Sequence, residues 1–273
     1  MFLSRAVDSS RYYLSVWYYY AKLAVQRQME YPVFLVSWFV FNFLQWFGWY
    51  YFLKVLSFRF NGIAGWAFPE LLFLFSLSLM SHGLVVIFFV QTWMIGRFIV
   101  RGQFDQILMR PMDAFYLFMV GTVNFIGIAD LLPGIVVFIY ACSLMHFHFT
   151  AISILKIIVV VLGATLIRTS LFLITNSSQF WWTGRFGLSM LTMQTIEYGS
   201  MYPLNMYPYL FQVVLTYALP IGFISFYPSL ELMGKGHPFF SYVLLTLFIG
   251  MFLFLLGYGI FNMGMKRYES VGN

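Results

Sequence analysis

The run from Phe68 to Ile95 carries one charged residue, Glu70, close to its start, and it is longer than the ~20 apolar residues a helix needs to cross a bilayer core. Similar runs recur along the chain, and they place spans near Pro32–Val55, Phe68–Ile95, Ile128–Met145, Ala151–Thr175, Pro208–Tyr227 and Phe239–Asn262. With 62% hydrophobic, 22% aromatic and 9% charged residues, no water-soluble surface of ordinary polarity can be built. The expected fold class is an all-α integral membrane protein with six transmembrane helices, one domain over 1–273.

Two stretches fit the ruler poorly. Phe115–Met145 is too long for one crossing and contains Asp130 and Pro133, so Ala114–Gly127 reads as an interfacial approach and Pro133 as a kink near the helix end. Phe186–Met206 is mixed in polarity and reads as an amphipathic lead-in along the surface. Residues 1–30 form an expected N-terminal interfacial helix, since Ser10–Gln28 mixes Tyr12, Trp17, Tyr18 and Tyr19 with Arg11, Lys22 and Arg27. Met1 to Gln26 lacks a compact apolar core followed by a small-residue cleavage site, so no cleavable leader is expected.

The formal charge of +6 rests on scattered residues and reads as a topology signal, with no nucleic-acid groove. With N-in/C-in topology, Arg5, Arg11, Lys22, Arg27, Arg97, Arg101, Arg110, Arg185, Lys266 and Arg267 are cytoplasmic. Arg59 and Lys235 are then external, with Lys54 at a helix edge. The Asn176-Ser177-Ser178 sequon then faces the cytoplasm and carries no meaning. The lone Cys142 excludes an intramolecular disulfide.

A polar island, residues 99–114, lies between the second and third spans: "IVRGQFDQILMRPMDA". Gln103–Arg110 reads as a two-turn helix bounded by Gly102 and Pro111, with Phe104, Ile107 and Leu108 on one side and Gln103, Gln106 and Arg110 on the other. Such a helix either floats on headgroups or docks a soluble partner.

The segment "RGQFDQILMRPMD" resembles the Gly-x-(Leu/Phe)-Asp-x-x-Leu-x-Arg-Pro segment of permease subunits of bacterial type-2 ABC exporters. "MYPLNMYP" with "ALPIGFISFYPSLELMG", and the C-terminal "KRYESVGN" with its Tyr-x-Ser-x-Gly, are similar to later features of that family. The resemblance implies a multi-pass subunit of the bacterial plasma membrane, half of a dimeric pathway with a second permease copy or a related permease. It also implies a cytosolic ABC ATPase that binds ATP and Mg, leaving no cofactor on this chain. Gly102, Phe104, Asp105, Ile107, Leu108, Arg110 and Pro111 become the coupling helix, with the apolar three filling a groove in the ATPase.

No Gly-x-x-x-x-Gly-Lys-Ser/Thr sequence occurs, so the chain lacks the usual phosphate cradle and is not expected to be an enzyme by itself. A membrane core poor in Lys and Asp argues against ion coupling through a carboxylate relay, and Asp130 reads as a solvated cap or an Arg partner. Ser78, Ser81 and His82, at i, i+3 and i+4, share a helix face and either join helices or line a translocation path. Lys156 can snorkel outward, whereas Arg168, beside Thr165 and Thr169, is expected to face protein and pair with a carboxylate or a helix-end carbonyl. His146 and His148 are too few for a metal site.

Pro208 and Pro228 are expected to mark the ends of the fifth span, with Pro220 bending it near its outer third as a static kink or an outer gate. The expected function is the permease subunit of an ATP-driven exporter for an amphipathic or apolar cargo such as a peptide, lipid or antibiotic. The rivals are a passive channel or scaffold, and a membrane-embedded lipid-modifying enzyme. The enzyme needs a buried nucleophile with its base, or a His/Asp cluster, and the sequence shows neither.

Overall fold

The computed structural model describes residues 2–60, 62–182, 186–237 and 239–270, with side chains from Arg11 onward except at Phe186. Arg185, Asn61 and the Arg5 side chain lie outside the described residues. The described residues form α1 (Phe2–Met29), α2 (Pro32–Arg59), α3 (Phe68–Phe89), α4 (Ile95–Val100), α5 (Gln103–Leu108), α6 (Ala114–Val120) and α7 (Ile128–Leu144). They continue as α8 (Ala151–Ser177), α9 (Phe186–Met201), α10 (Tyr209–Val213), α11 (Phe226–Leu232) and α12 (Tyr242–Met265). The protein is an all-α integral membrane protein. Among the described residues, five spans are long and apolar enough to cross by themselves: Pro32–Arg59, Phe68–Val100, Phe125–Leu144, Ala151–Phe180 and Tyr242–Met265.

The fifth crossing is not where the hydropathy places it. Tyr209–Ala218 and Ile221–Leu232 meet at a 76° bend beside Pro220, and both arms are fixed at the end of the bundle away from the island. Asn205 Nδ2 donates to the Ala64 carbonyl in the loop after α2, at 2.9 Å. Past the bend, Lys235 pairs with Glu70 at the start of α3, at 2.6 Å, and Glu231 pairs with Lys156 near the start of α8, at 2.7 Å. The segment therefore enters and leaves on one side as a re-entrant hairpin, and Pro208 and Pro228 do not bracket a crossing. Ser178–Phe180, by contrast, sits at the island end, where the Phe180 ring lies 5.5 Å from that of Phe104. The chain between these ends is α9, whose 16 residues rise ~24 Å. The expected surface lead-in is thus a crossing, and the total among the described residues remains six.

This reassignment carries a direct test. In a Cys142→Ser background, Asn205→Cys should react with an impermeant thiol reagent from the same side as Gly236→Cys, and Gln103→Cys and Ser270→Cys should not. A fifth crossing at Pro208–Tyr227 would instead put Asn205 with Gln103.

The other boundaries follow local chemistry. Thr150 caps α8 through the Ser153 amide and Ser241 caps α12 through the Leu244 amide. Helices α8 and α12 form a close seam: a Cβ on Gly250 would lie 2.7 Å from the Gly163 carbonyl oxygen, so the two backbones meet where only hydrogen fits. Helix α2 is held more lightly, by Asn42, Trp46, Leu53 and Ser57, a stripe at helical spacing, while its other faces are exposed.

Lys156 does not snorkel free. Its partner Glu231 also accepts from the Val243 amide at 2.9 Å, so one carboxylate fastens α8, the hairpin and α12 together. Helix α1 lies along the island end, where Tyr116 Oη donates to the Tyr13 carbonyl, Gln28 donates to Asn124, and Arg110 donates to Tyr20. Asn176 of the sequon is fully buried in the bundle.

Candidate functional site

Two regions gather the residues singled out in the sequence. The first is the island. Gly102 adopts φ 65°, a left-handed conformation that costs glycine little, and it turns the chain from α4 into α5. Helix α5 is shorter than expected, ending at Leu108, and its apolar face is divided. Phe104 is fully buried, with ring centroids of Phe98, Phe118, Phe180, Phe261 and Tyr268 5.4–6.0 Å away. It cannot fill a groove in another protein, because this aromatic cluster already surrounds it. Ile107 is half-buried against the same cluster, whereas Leu108 and Met109 are exposed at 51% and 79%. Arg110 and Pro111 are exposed beside them.

The C-terminal segment braces this arrangement. Tyr268 stacks edge-on against Phe104, and Ser270 Oγ donates to Asp105 at 2.7 Å. Burial pushes the Tyr268 phenol up to about 12. Two sequence features 165 positions apart thus form one unit.

The second region lies mid-bundle, where α3, α8 and α9 meet. Arg168 is fully buried. Its Nη1 donates to Glu197 Oε1 at 2.9 Å, Nε to Ser81 Oγ at 3.0 Å, and Nη2 to Ser78 Oγ at 2.6 Å and Ser200 Oγ at 2.7 Å. A planar guanidinium suits this fork, since its donors point outward in a fixed array. His82 Nδ1 lies 2.7 Å from Glu197 Oε1, and its Nε2 lies 3.8 Å from Asp130 Oδ2. Trp46 Nε1 donates to Asp130 Oδ1 at 2.8 Å, so α2 and α7 join the group.

Ser78, Ser81, His82 and Arg168 are therefore brought together, while Pro220 sits apart at the hairpin bend. Asp130 is neither a solvated cap nor an Arg partner, but 5% exposed and held by Trp46. The sequence argument against buried carboxylates also fails: Glu197 and Asp130 are both in the bundle, and Glu197 went unnoticed because its helix read as surface. Its signal was an acidic residue one turn before Ser200 in a stretch ending at an apolar run.

A His/Asp cluster thus exists, contrary to expectation, but it is not assembled as a nucleophile with its base. The serines are engaged by Arg168 and by backbone carbonyls, Ser81 on Ser78 and Ser200 on Ile196, and among the described residues none of them bonds to His82. Among the described residues no His, Cys, Asp and Glu group is set to hold a metal ion.

A cleft of about 610 Å3 opens above this network between α2 and α9. Trp38, Trp46, Trp49 and Tyr198 form its walls, and His82, Asp130 and Glu197 form its floor.

No curated protein and no solved structure compared with the chain gives a match. The sequence model of the family described as ABC-2 family transporter protein matches residues 39–272, which takes in most of α2 and the chain from there through the C-terminal brace, the island and the buried network together. The chain belongs to the ABC-2 transporter family and is a permease subunit of an ABC transporter.

Proposed function

We propose that this permease exports an amphipathic or apolar cargo across the bacterial plasma membrane, as one half of a dimeric pathway with N-in/C-in topology. A separate cytosolic ATPase binds ATP and Mg and docks on the island. The observation that carries the reading is the division of α5: Phe104 is locked inside while Leu108 and Met109 project from a stiff base. A rigid base with exposed apolar tips is what a docking contact needs, since apolar anchors supply most of the energy of such interfaces and charges at the rim supply orientation. This reading gives the second role to Arg110 and Asp105. The absence of a phosphate-binding loop in the sequence fits a division of labour in which this chain does not hydrolyse ATP itself.

The test is capture of the cognate ATPase by detergent-solubilised variants, with ATP turnover measured alongside. Leu108→Asp and Met109→Asp should each lower capture by roughly tenfold or more while leaving the size-exclusion profile unchanged, because neither side chain is in the core. Arg110→Ala should retain the complex and lose part of the stimulated turnover. Capture and turnover at wild-type levels in both Asp variants would mean that the ATPase does not dock through Leu108 and Met109, and no capture by the wild-type chain would favour a passive channel or scaffold.

A further inference from the structure

We propose that the cleft between α2 and α9 binds a hydrophobic organic cation. This deepens the permease reading by naming a cargo class, and it rests on that reading only for the statement that the ligand is carried. The cleft's volume, about 610 Å3, is that of a small-molecule site. Its walls are aromatic and its floor holds two carboxylates, and among the described residues neither lysine nor arginine lines it.

The charge arrangement selects the sign of the ligand. Arg168 lies behind the floor, fully buried, with its donors taken by Glu197, Ser78, Ser81 and Ser200. It cancels the charge of Glu197 and presents nothing to the cleft. Asp130 has no guanidinium or ammonium partner among the described residues, and the imidazole near it, His82, is shared with Glu197, which it meets more closely, at 2.7 Å. Asp130 Oδ1 accepts one bond from Trp46, and its Oδ2 meets His82 only at 3.8 Å, too long for a hydrogen bond. A carboxylate 5% exposed and bonded through one oxygen is poorly compensated for its desolvation. A neutral apolar ligand would displace water from Asp130 and return nothing, and an anion would be repelled. A cation offers Asp130 a counter-charge, and the indole faces around it attract positive charge through their quadrupoles. The requirement for bulk and apolarity comes from the same walls.

Tetraphenylphosphonium and tetraphenylborate, nearly identical in shape and opposite in charge, are the probes. Equilibrium dialysis is run against the permease–ATPase complex in nanodiscs, with empty nanodiscs subtracted. Saturable binding of the phosphonium and none of the borate is expected, and Asp130→Asn should weaken the phosphonium by roughly tenfold. Should that variant not fold, Gln45→Lys, at an exposed position on the cleft wall, should weaken the phosphonium similarly and admit the borate. Equal affinity for the two ions, or unchanged phosphonium affinity in the folded variant, overturns the proposal. Capture of the ATPase in the same preparations keeps the two readings apart. With the ATPase held and charge selection missing, only the cation site fails; with no ATPase captured, the proposed docking of the ATPase fails whatever the dialysis shows.

Discussion

Arg168→Met is expected to lose most of its folded yield, because it strands Glu197 in the bundle without its guanidinium. Removing one partner of a buried ion pair costs about 3–5 kcal/mol, since the remaining charge keeps its desolvation penalty and loses its compensation. Ser78, Ser81 and Ser200 would lose a shared donor at the same time. The double variant Arg168→Met/Glu197→Gln should recover part of the loss, because the uncompensated charge is gone and only hydrogen bonds are missing. Thermal unfolding in detergent, read by the monodisperse fraction, gives the three stabilities. A single variant as stable as wild type would mean that Glu197 does not depend on Arg168.

The second large effect is expected at Phe104. Truncation to alanine empties the centre of a six-ring cluster and should cost about 3–5 kcal/mol, the range for a buried phenylalanine. Leu108→Ala, four residues along the same short helix, should stay within about 0.5 kcal/mol because its side chain is half exposed. The two measured together by thermal unfolding separate the inward face of α5 from the outward one. Equal small losses would mean that the aromatic cluster does not hold the island in place.

The sequence shows the membrane class and most spans because apolar length is a local property, readable wherever a run such as Ala151–Thr175 is bounded by polar residues. It misleads where tertiary structure overrides that ruler. Helix α9 can be short and mixed in polarity because Glu197 and Ser200 face Arg168 and Ser78, and a polar residue with a partner no longer opposes burial. The hairpin from Tyr209 to Leu232 has a span's length and hydropathy, and only contacts distant in sequence, Asn205 with Ala64 and Lys235 with Glu70, reveal that its two ends share a side. For the site, the face shared by Ser78, Ser81 and His82 follows from helix periodicity, whereas Glu197 and Trp46 come from other helices and no spacing rule joins them. Phe104 was misplaced because a helical wheel sorts apolar from polar and cannot tell an inner apolar residue from an outer one.

The light hold on α2 gives the cleft two walls of unequal compliance. Only 11% of the apolar window of α2 is buried, against 83% for Phe68–Val100. The frame of α3, α8 and α12 is pinned by a glycine seam, with a buried ion pair tying α9 to it, so displacing any member disrupts contacts throughout. Displacing α2 disrupts the stripe from Asn42 to Ser57 and the single Trp46–Asp130 bond. Elastic deformation concentrates in the softest element, so any change in the width of the cleft falls on α2, which faces lipid, before it falls on the frame. The fluidity of the surrounding bilayer thereby becomes part of the resistance to that change.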